Sequence, residues 1–237
     1  MIRLAKYIAD AGHCSRRAAC RLIESGEVLV NERSATHTDR VTDQDIIVVQ
    51  GQSLQPREAF SYFLYNKPVG VDCVCNSNDP SSIIHVLPTA HNISRLFPVG
   101  RLDKDSHGLM LLTNHGDLCQ RILHPDFYHE KVYRVTVNKP YDEEFCCQMA
   151  SGVQYAQVTT KPCMIQRIDD HRFLLTLTQG LNRQIRKMCK ALSYKVIDLQ
   201  RIQLLNIHLG ELPVNQHRPL TEGEILELLK GYGIPKE

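Results

Sequence analysis

The first quarter of the chain carries apolar residues at helical spacing. Leu4, Tyr7, Ile8 and Ala11 recur at steps of three and four, which puts them on one helix face, and Gly12 follows as a stop. Ser15 is placed to cap a second helix, with Ala18, Ala19, Leu22 and Ile23 on one side and Gly26 at its end. The pattern then shortens. Val28-Leu29-Val30 and Ile46-Ile47-Val48-Val49 are compact apolar runs around the polar stretch 31–45, and they predict short strands. A polar segment containing Pro56 follows and reads as a linker over residues 51–59.

Beyond the linker a two-residue period dominates. Phe60-Ser61-Tyr62-Phe63-Leu64-Tyr65 is aromatic-rich and predicts a strand, closed by the turn Asn66-Lys67-Pro68-Val69-Gly70. Leu109-Met110-Leu111-Leu112 is a continuous apolar run, either a buried strand or a short buried helix. In Lys131–Val137, Val132, Arg134 and Thr136 face one side, and Lys131, Tyr133, Val135 and Val137 the other. Phe173–Thr178 predicts another strand. From Arg183 the spacing is helical again, with Asn182 as N-cap and Ile185, Met188, Cys189 and Leu192 facing inward. Thr221-x-x-Glu224 ahead of Ile225, Leu226, Leu228 and Leu229 is a capping box that opens a last amphipathic helix. These elements predict an α+β protein: a small α/β domain over residues 1–50, and a larger domain over 60–237 with several strands and few long helices.

Composition adds limits. Hydrophobic residues make up 43% of 237, so a sizeable core is available and global disorder is excluded. The nine cysteines are scattered, odd in number and lack paired zinc spacings, so reduced thiols in a reducing cytosol are expected. No apolar stretch of signal-peptide or membrane-spanning length occurs, so we expect a cytoplasmic protein with no membrane partner.

Net charge is only +2, yet the cations cluster. Residues 1–23 hold Arg3, Lys6, Arg16, Arg17 and Arg21 against Asp10 alone, and residues 183–201 hold Arg183, Arg186, Lys187, Lys190, Lys195 and Arg201 against Asp198 alone. Two basic clusters in a nearly neutral chain fit a tracked polyanion; a solvated helix face is the other reading of each. Arg16 and Arg17 open a helix, where cations oppose the helix dipole at a cost of about 0.3 kcal/mol or more. Contacts to phosphate would explain them.

The densest chemistry lies in Val99-Gly100-Arg101-Leu102-Asp103-Lys104-Asp105-Ser106-His107-Gly108-Leu109, directly ahead of the apolar run. A polar loop joined to a buried element holds catalytic groups rigidly while solvent still reaches them. A turn whose Asp side chains bond their own backbone is the plainer reading. His124 and His129, near Asp126 and Glu130, lack a Cys partner and read as polar loop rather than metal site. Neither a metal nor a cofactor is expected.

Two resemblances organise these segments. Arg3-Leu4-x-Lys6-Tyr7-Ile8, Cys14-Ser15-Arg16-Arg17-Ala18 and Ile23-x-x-Gly26-x-Val28-x-Val30-Asn31 resemble the alpha-L RNA-binding domain named after small-subunit ribosomal protein four. In such domains Asn often stands at the position of Ala5 and Gly at that of Glu32. Asn66-Lys67-Pro68-x-Gly70, Gly100-Arg101-Leu102-Asp103 with Ser106, Gly108 and Leu109, Lys131-x-Tyr133, and Asn182-Arg183-Gln184-Ile185-Arg186 resemble, in order, the motifs of RsuA-like pseudouridine synthases. Asp103-Lys104-Asp105-Ser106, Thr113-Asn114-His115-Gly116-Asp117-Leu118 and Gln179-Gly180-Leu181-Asn182 look most like the RluF branch.

The resemblance implies a catalytic domain with a mixed, largely antiparallel sheet and an active-site cleft. It implies isomerisation of a specific uridine in large-subunit (23S) ribosomal RNA, with a tRNA anticodon uridine as alternative substrate. A non-catalytic RNA-binding or ribosome-assembly protein on the same fold is the reading from another class. Asp103 is implied as nucleophile, with Asp105 the rival carboxylate. Arg186 is implied as partner of Asp103, against a plain basic helix face. Tyr133 is implied as the ring that stacks on the base, against a core strand tyrosine. Arg101, Leu102, Lys104, Arg183 and Gln184 are candidates for holding RNA, with Ile185 as an apolar wall of the base pocket and Arg3, Lys6, Arg16 and Arg17 on the N-terminal domain. The base must leave its stack to react, so a stem-loop target is expected, bound by a monomer.

Overall fold

The computed structural model describes residues 1–55, 59–88, 95–124 and 129–234; Pro56 of the expected linker and Asp126 lie outside them. The chain forms two compact units. One comprises Met1–Ser61, Pro88–Phe97 and Thr113–Gly116, the other Tyr62–Leu87, Pro98–Leu112 and Asp117–Glu237.

In the first unit the expected helices form at Leu4–Asp10 and Arg16–Glu24. Ser15 caps the second, its Oγ accepting from the Ala18 amide at 3.2 Å. Leu4, Ile8, Ala19 and Ile23 are buried with Val28, Val30, Ile47 and Val49 of a four-stranded antiparallel sheet. Ile46 falls outside its strand and is 64% exposed. The hairpin between Val28–Val30 and Arg33–Ser34 turns on Asn31 and Glu32, both left-handed at φ 48° and 67°. Asn31 suits that conformation and its amide bonds Asp45 and Ile46; Glu32 adopts it without glycine's freedom. Asn114 joins this unit from far along the chain, accepting from the Ser61 amide at 2.7 Å and donating to the Ala59 carbonyl at 3.2 Å. No periodicity announces that link.

The second unit is built on a mixed sheet, nine-stranded with its two short side strands. Its main path runs Met164–Arg167, Arg172–Leu177, Lys131–Val137, Val196–Leu204, His107–Thr113, Tyr62–Lys67, His217–Pro219. The apolar run 109–112 is therefore a strand, buried throughout. It pairs in parallel with Val196–Leu204 through His107 and Gly108, while the pairs formed by Lys131–Val137 with its two neighbours are antiparallel. One core cluster holds Val135, Phe145, Phe173, Ile185, Met188 and Cys189; another holds Tyr65, Cys73, Ile83, Leu102, Met110 and Leu112. Tyr133 packs against both.

The last helix, Glu222–Lys230, opens with the expected capping box between Thr221 and Glu224. Arg218 forks onto Glu224 at 2.8 and 2.7 Å and, as the main cause, holds its pKa at about 2 instead of 4.5. A carboxylate depressed on folding stabilises above its unfolded pKa, and the gain fades as pH falls through the folded value. Glu224→Gln keeps the cap but loses the charged fork. It is expected to be less stable at neutral pH by about 1 kcal/mol, with melting curves that converge between pH 4.5 and 2. A gap that persists to pH 2 would show that the charge is not Glu224's contribution.

Candidate active site

The loop between the strands Phe97–Val99 and His107–Thr113 is fixed from three sides. The Ser106 amide donates to the Asp103 carbonyl at 3.0 Å and closes a turn. The Gly70 amide donates to the Lys104 carbonyl at 2.7 Å, and the Leu102 amide to Cys73 Sγ at 3.4 Å. Lys67 is fully buried and clamps the turn at Gly70, donating to the carbonyls of Pro68 at 3.0 Å and Val71 at 2.7 Å. Burial pushes its pKa down. Lys104 Nζ reaches Ser81 Oγ at 2.9 Å. Cys73 and Ser81 carried no signal in the sequence; they meet the loop only through the fold.

Two carboxylates leave this loop and two arginines face them from the helix Gln184–Ala191 and its N-cap. Arg183 forks onto Asp105, Nη1 to Oδ1 at 3.0 Å and Nη2 to Oδ2 at 2.7 Å. Its Nη1 is 3.8 Å from Asp103 Oδ2. Arg186 donates from Nη2 to the Asp105 carbonyl at 2.7 Å and to Ser106 Oγ at 3.3 Å. Its Nε lies 3.3 Å from Asp105 Oδ2. The hydrogen bonds of Arg183, ahead of the charge of Arg186, hold the Asp105 carboxyl below the usual carboxylate range. The expected pairing of Arg186 with Asp103 is thus corrected: Arg186 pairs with Asp105, because the turn carries Asp105 and its carbonyl towards the helix.

Two further expectations change, at Asn182 and at Leu192. Asn182 does not cap the helix; the N-cap is Arg183, left-handed at φ 51°, and Asn182 Oδ1 accepts from Lys187 Nζ at 3.1 Å. Gln184 is buried, its Oε1 accepting from the Leu181 amide at 3.0 Å, so it braces the loop ahead of the helix. Leu102 and Ile185 are also buried, one in each of the two clusters that Tyr133 packs against. Leu192 ends up half-buried at the helix C-cap. Tyr133 itself is half-buried, on the strand face shared with Lys131. Burial, then the charge of Arg201, pushes Lys131 down to about 8. Arg101 and Lys104 are exposed.

In the N-terminal unit Arg3, Arg16 and Arg17 are exposed. Lys6 is drawn onto Asp10 one helical turn away at 2.9 Å, so its ammonium is engaged within the helix. Among the described residues no group of His, Cys, Asp or Glu is arranged to hold a metal, and no helix is long and apolar enough to cross a membrane. His129 packs edge-on against the Tyr232 ring.

Residues 61–191 match the family model for RNA pseudouridylate synthase, and residues 2–47 that for the S4 domain. The chain belongs to the RNA pseudouridylate synthases. It is 44% identical to the dual-specificity RNA pseudouridine synthase RluF of Escherichia coli K12, across 97% of this chain and 79% of that protein. It is 33% identical to ribosomal small subunit pseudouridine synthase A of Haemophilus influenzae, across 97% of this chain and all of the relative. A solved pseudouridylate synthase crystal structure superposes with TM-score 0.70 at 32% identity, covering 96% of this chain and 100% of that one. This pseudouridine synthase is therefore an RsuA-like enzyme of the RluF branch, with an S4 RNA-binding domain at its N-terminus, and RNA is its substrate.

Proposed function

We propose that this enzyme isomerises a uridine of large-subunit ribosomal RNA, with Asp103 as nucleophile. The observation that carries the assignment is the position of Asp103 on the pinned loop. Its carboxylate is 30% exposed, beside Arg183, and its neighbour Leu102 lies in a cluster that backs Tyr133. Cleavage of the bond from uracil N1 to C1′ leaves an electron-poor carbon that a carboxylate can meet. The freed base turns, C5 bonds C1′ as the carboxylate oxygen leaves it, and the C5 proton is lost while N1 gains one. Tyr133 offers a ring for the flipped base, and Arg186 fixes the loop. Likeness to the RluF branch supports ribosomal RNA of the large subunit. A second RNA substrate is favoured by the dual-specificity name of the 44% identical relative, and a tRNA anticodon uridine is the alternative the sequence resemblance offers.

The test is tritium release from [5-³H]uridine transcripts of large-subunit RNA, small-subunit RNA and tRNA. Release from the first is expected; release confined to small-subunit RNA or tRNA would overturn the substrate assignment.

The exposed arginines of the S4 domain would grip phosphates. Affinity is then expected to fall steeply with salt, and Arg16→Ala with Arg17→Ala to flatten the log–log slope by about one per arginine removed. Filter binding over a salt series checks this. An unchanged slope would take both residues off the RNA.

A further inference from the structure

Asp103 and Asp105 stand two residues apart on one turn, yet their surroundings differ. Asp105 accepts both arms of Arg183 and lies against Arg186. Among the described residues no donor hydrogen-bonds the Asp103 carboxylate; its ion-pair contact is Arg183 at 3.8 Å. Asp103 thus feels the guanidinium's charge without its hydrogen bonds. The arrangement is held on the arginine side too. Arg183 keeps a left-handed backbone that a non-glycine residue adopts only against strain, and Arg186 is tied to the loop through the Asp105 carbonyl and Ser106, and to the strand Val196–Leu204 through the Val196 carbonyl.

A carboxylate that must give a lone pair to carbon is slowed by each strong donor it has to surrender. A nearby cation without a direct bond keeps it ionised and leaves that lone pair available. We propose that Asp105 is a positioning residue: it captures the Arg183 fork and thereby leaves Asp103 charged but unbonded, ready to meet C1′. The proposal rests on Asp103 being the nucleophile. It assigns the second carboxylate of the loop a task distinct from chemistry at the sugar. The lowered pKa of Asp105, caused first by the Arg183 hydrogen bonds, accords with a permanent anion in that seat.

Asp105→Asn removes the charge with little change of shape. Arg183 then has Asp103 as its nearest carboxylate, and a gap of 3.8 Å to close to hydrogen-bond distance. In tritium-release assays at saturating RNA, kcat is expected to fall roughly tenfold. KM should change far less, because phosphates dominate affinity. The charged groups around Asp103 are Arg183 from the helix, Asp105 on its own loop and Lys67 from the strand Tyr62–Lys67, and only Asp105 is altered.

The double variant Asp105→Asn with Arg183→Met separates this from a merely structural part. Removing the displaced arginine should raise kcat at least threefold above Asp105→Asn alone, although KM worsens. Wild-type kcat in Asp105→Asn, a KM that changes as much as kcat, or a double variant no faster than the single one would each overturn the proposal. Asp103→Asn, run in parallel, keeps the two questions apart. If it is inactive while Asp105→Asn is normal, only the positioning role falls. If it is active while Asp105→Asn is dead, the nucleophile assignment falls as well.

Discussion

Asp103→Ala is expected to lower the rate of tritium release by at least roughly a thousandfold, the scale of losing a nucleophile. RNA affinity should stay within about threefold of wild type, because cations on phosphate supply most of it. The structure makes this a clean experiment. Asp103 accepts no side-chain hydrogen bond from the described residues, and the loop is pinned by other atoms: the amides of Gly70, Leu102 and Ser106, and the arginines on Asp105. Truncating Asp103 therefore removes a reactive group without cutting an anchor. Single-turnover release, filter binding and a melting curve on the same preparation check the three claims. Near-normal release would move the nucleophile to Asp105. Lost binding or lost stability would mean that Asp103 holds structure, the plain-turn reading of this loop.

The contrast between these two aspartates marks how far sequence reasoning carries. The run Gly100–Asp103 followed by apolar residues located the loop, and the alternation in Lys131–Val137 placed Tyr133 and Lys131 on one face. Those are local rules, and they held because each residue's orientation follows from its own strand or turn. Partner choice is not local. Which carboxylate receives Arg183 and Arg186 depends on how the turn closed by Ser106 aims two side chains at a helix more than seventy residues later. The same holds for Gln184, whose burial helical spacing does not announce. It holds for Asn182, whose type suits an N-cap while the backbone puts Arg183 there. Cys73, Ser81 and Asn114 reached their partners through tertiary packing alone.

Gly108→Ala carries the largest structural effect we expect. Gly108 sits at φ 103°, where an L side chain is strained, on the strand that leaves the loop carrying Asp103. It pairs in parallel with Arg201, and a Cβ there would run into the Arg201 carbonyl oxygen and come within 2.9 Å of the Arg201 amide nitrogen and of Gln200 Cγ. Backbone cannot swing aside as a side-chain tip does. Arg201 is itself buried, with Nε on the Leu109 carbonyl at 2.8 Å, so relief would disturb a second fixed contact. Strain and overlap together should cost at least about 3 kcal/mol, a fall in Tm of roughly 6–12 °C for a chain of this size. Gly26→Ala is the matched control. Gly26 is also left-handed, at φ 75°, but nothing lies within 4 Å of its added methyl group. Its loss should be limited to conformational strain of about 1 kcal/mol. If Gly108→Ala melts no lower than Gly26→Ala, the two strands have room to separate, and the glycine answers only to the turn. If the gap appears, this glycine of the loop motif is needed for the approach of Val196–Leu204 to the strand that carries the loop, and the proposed nucleophile Asp103 depends on it at one remove.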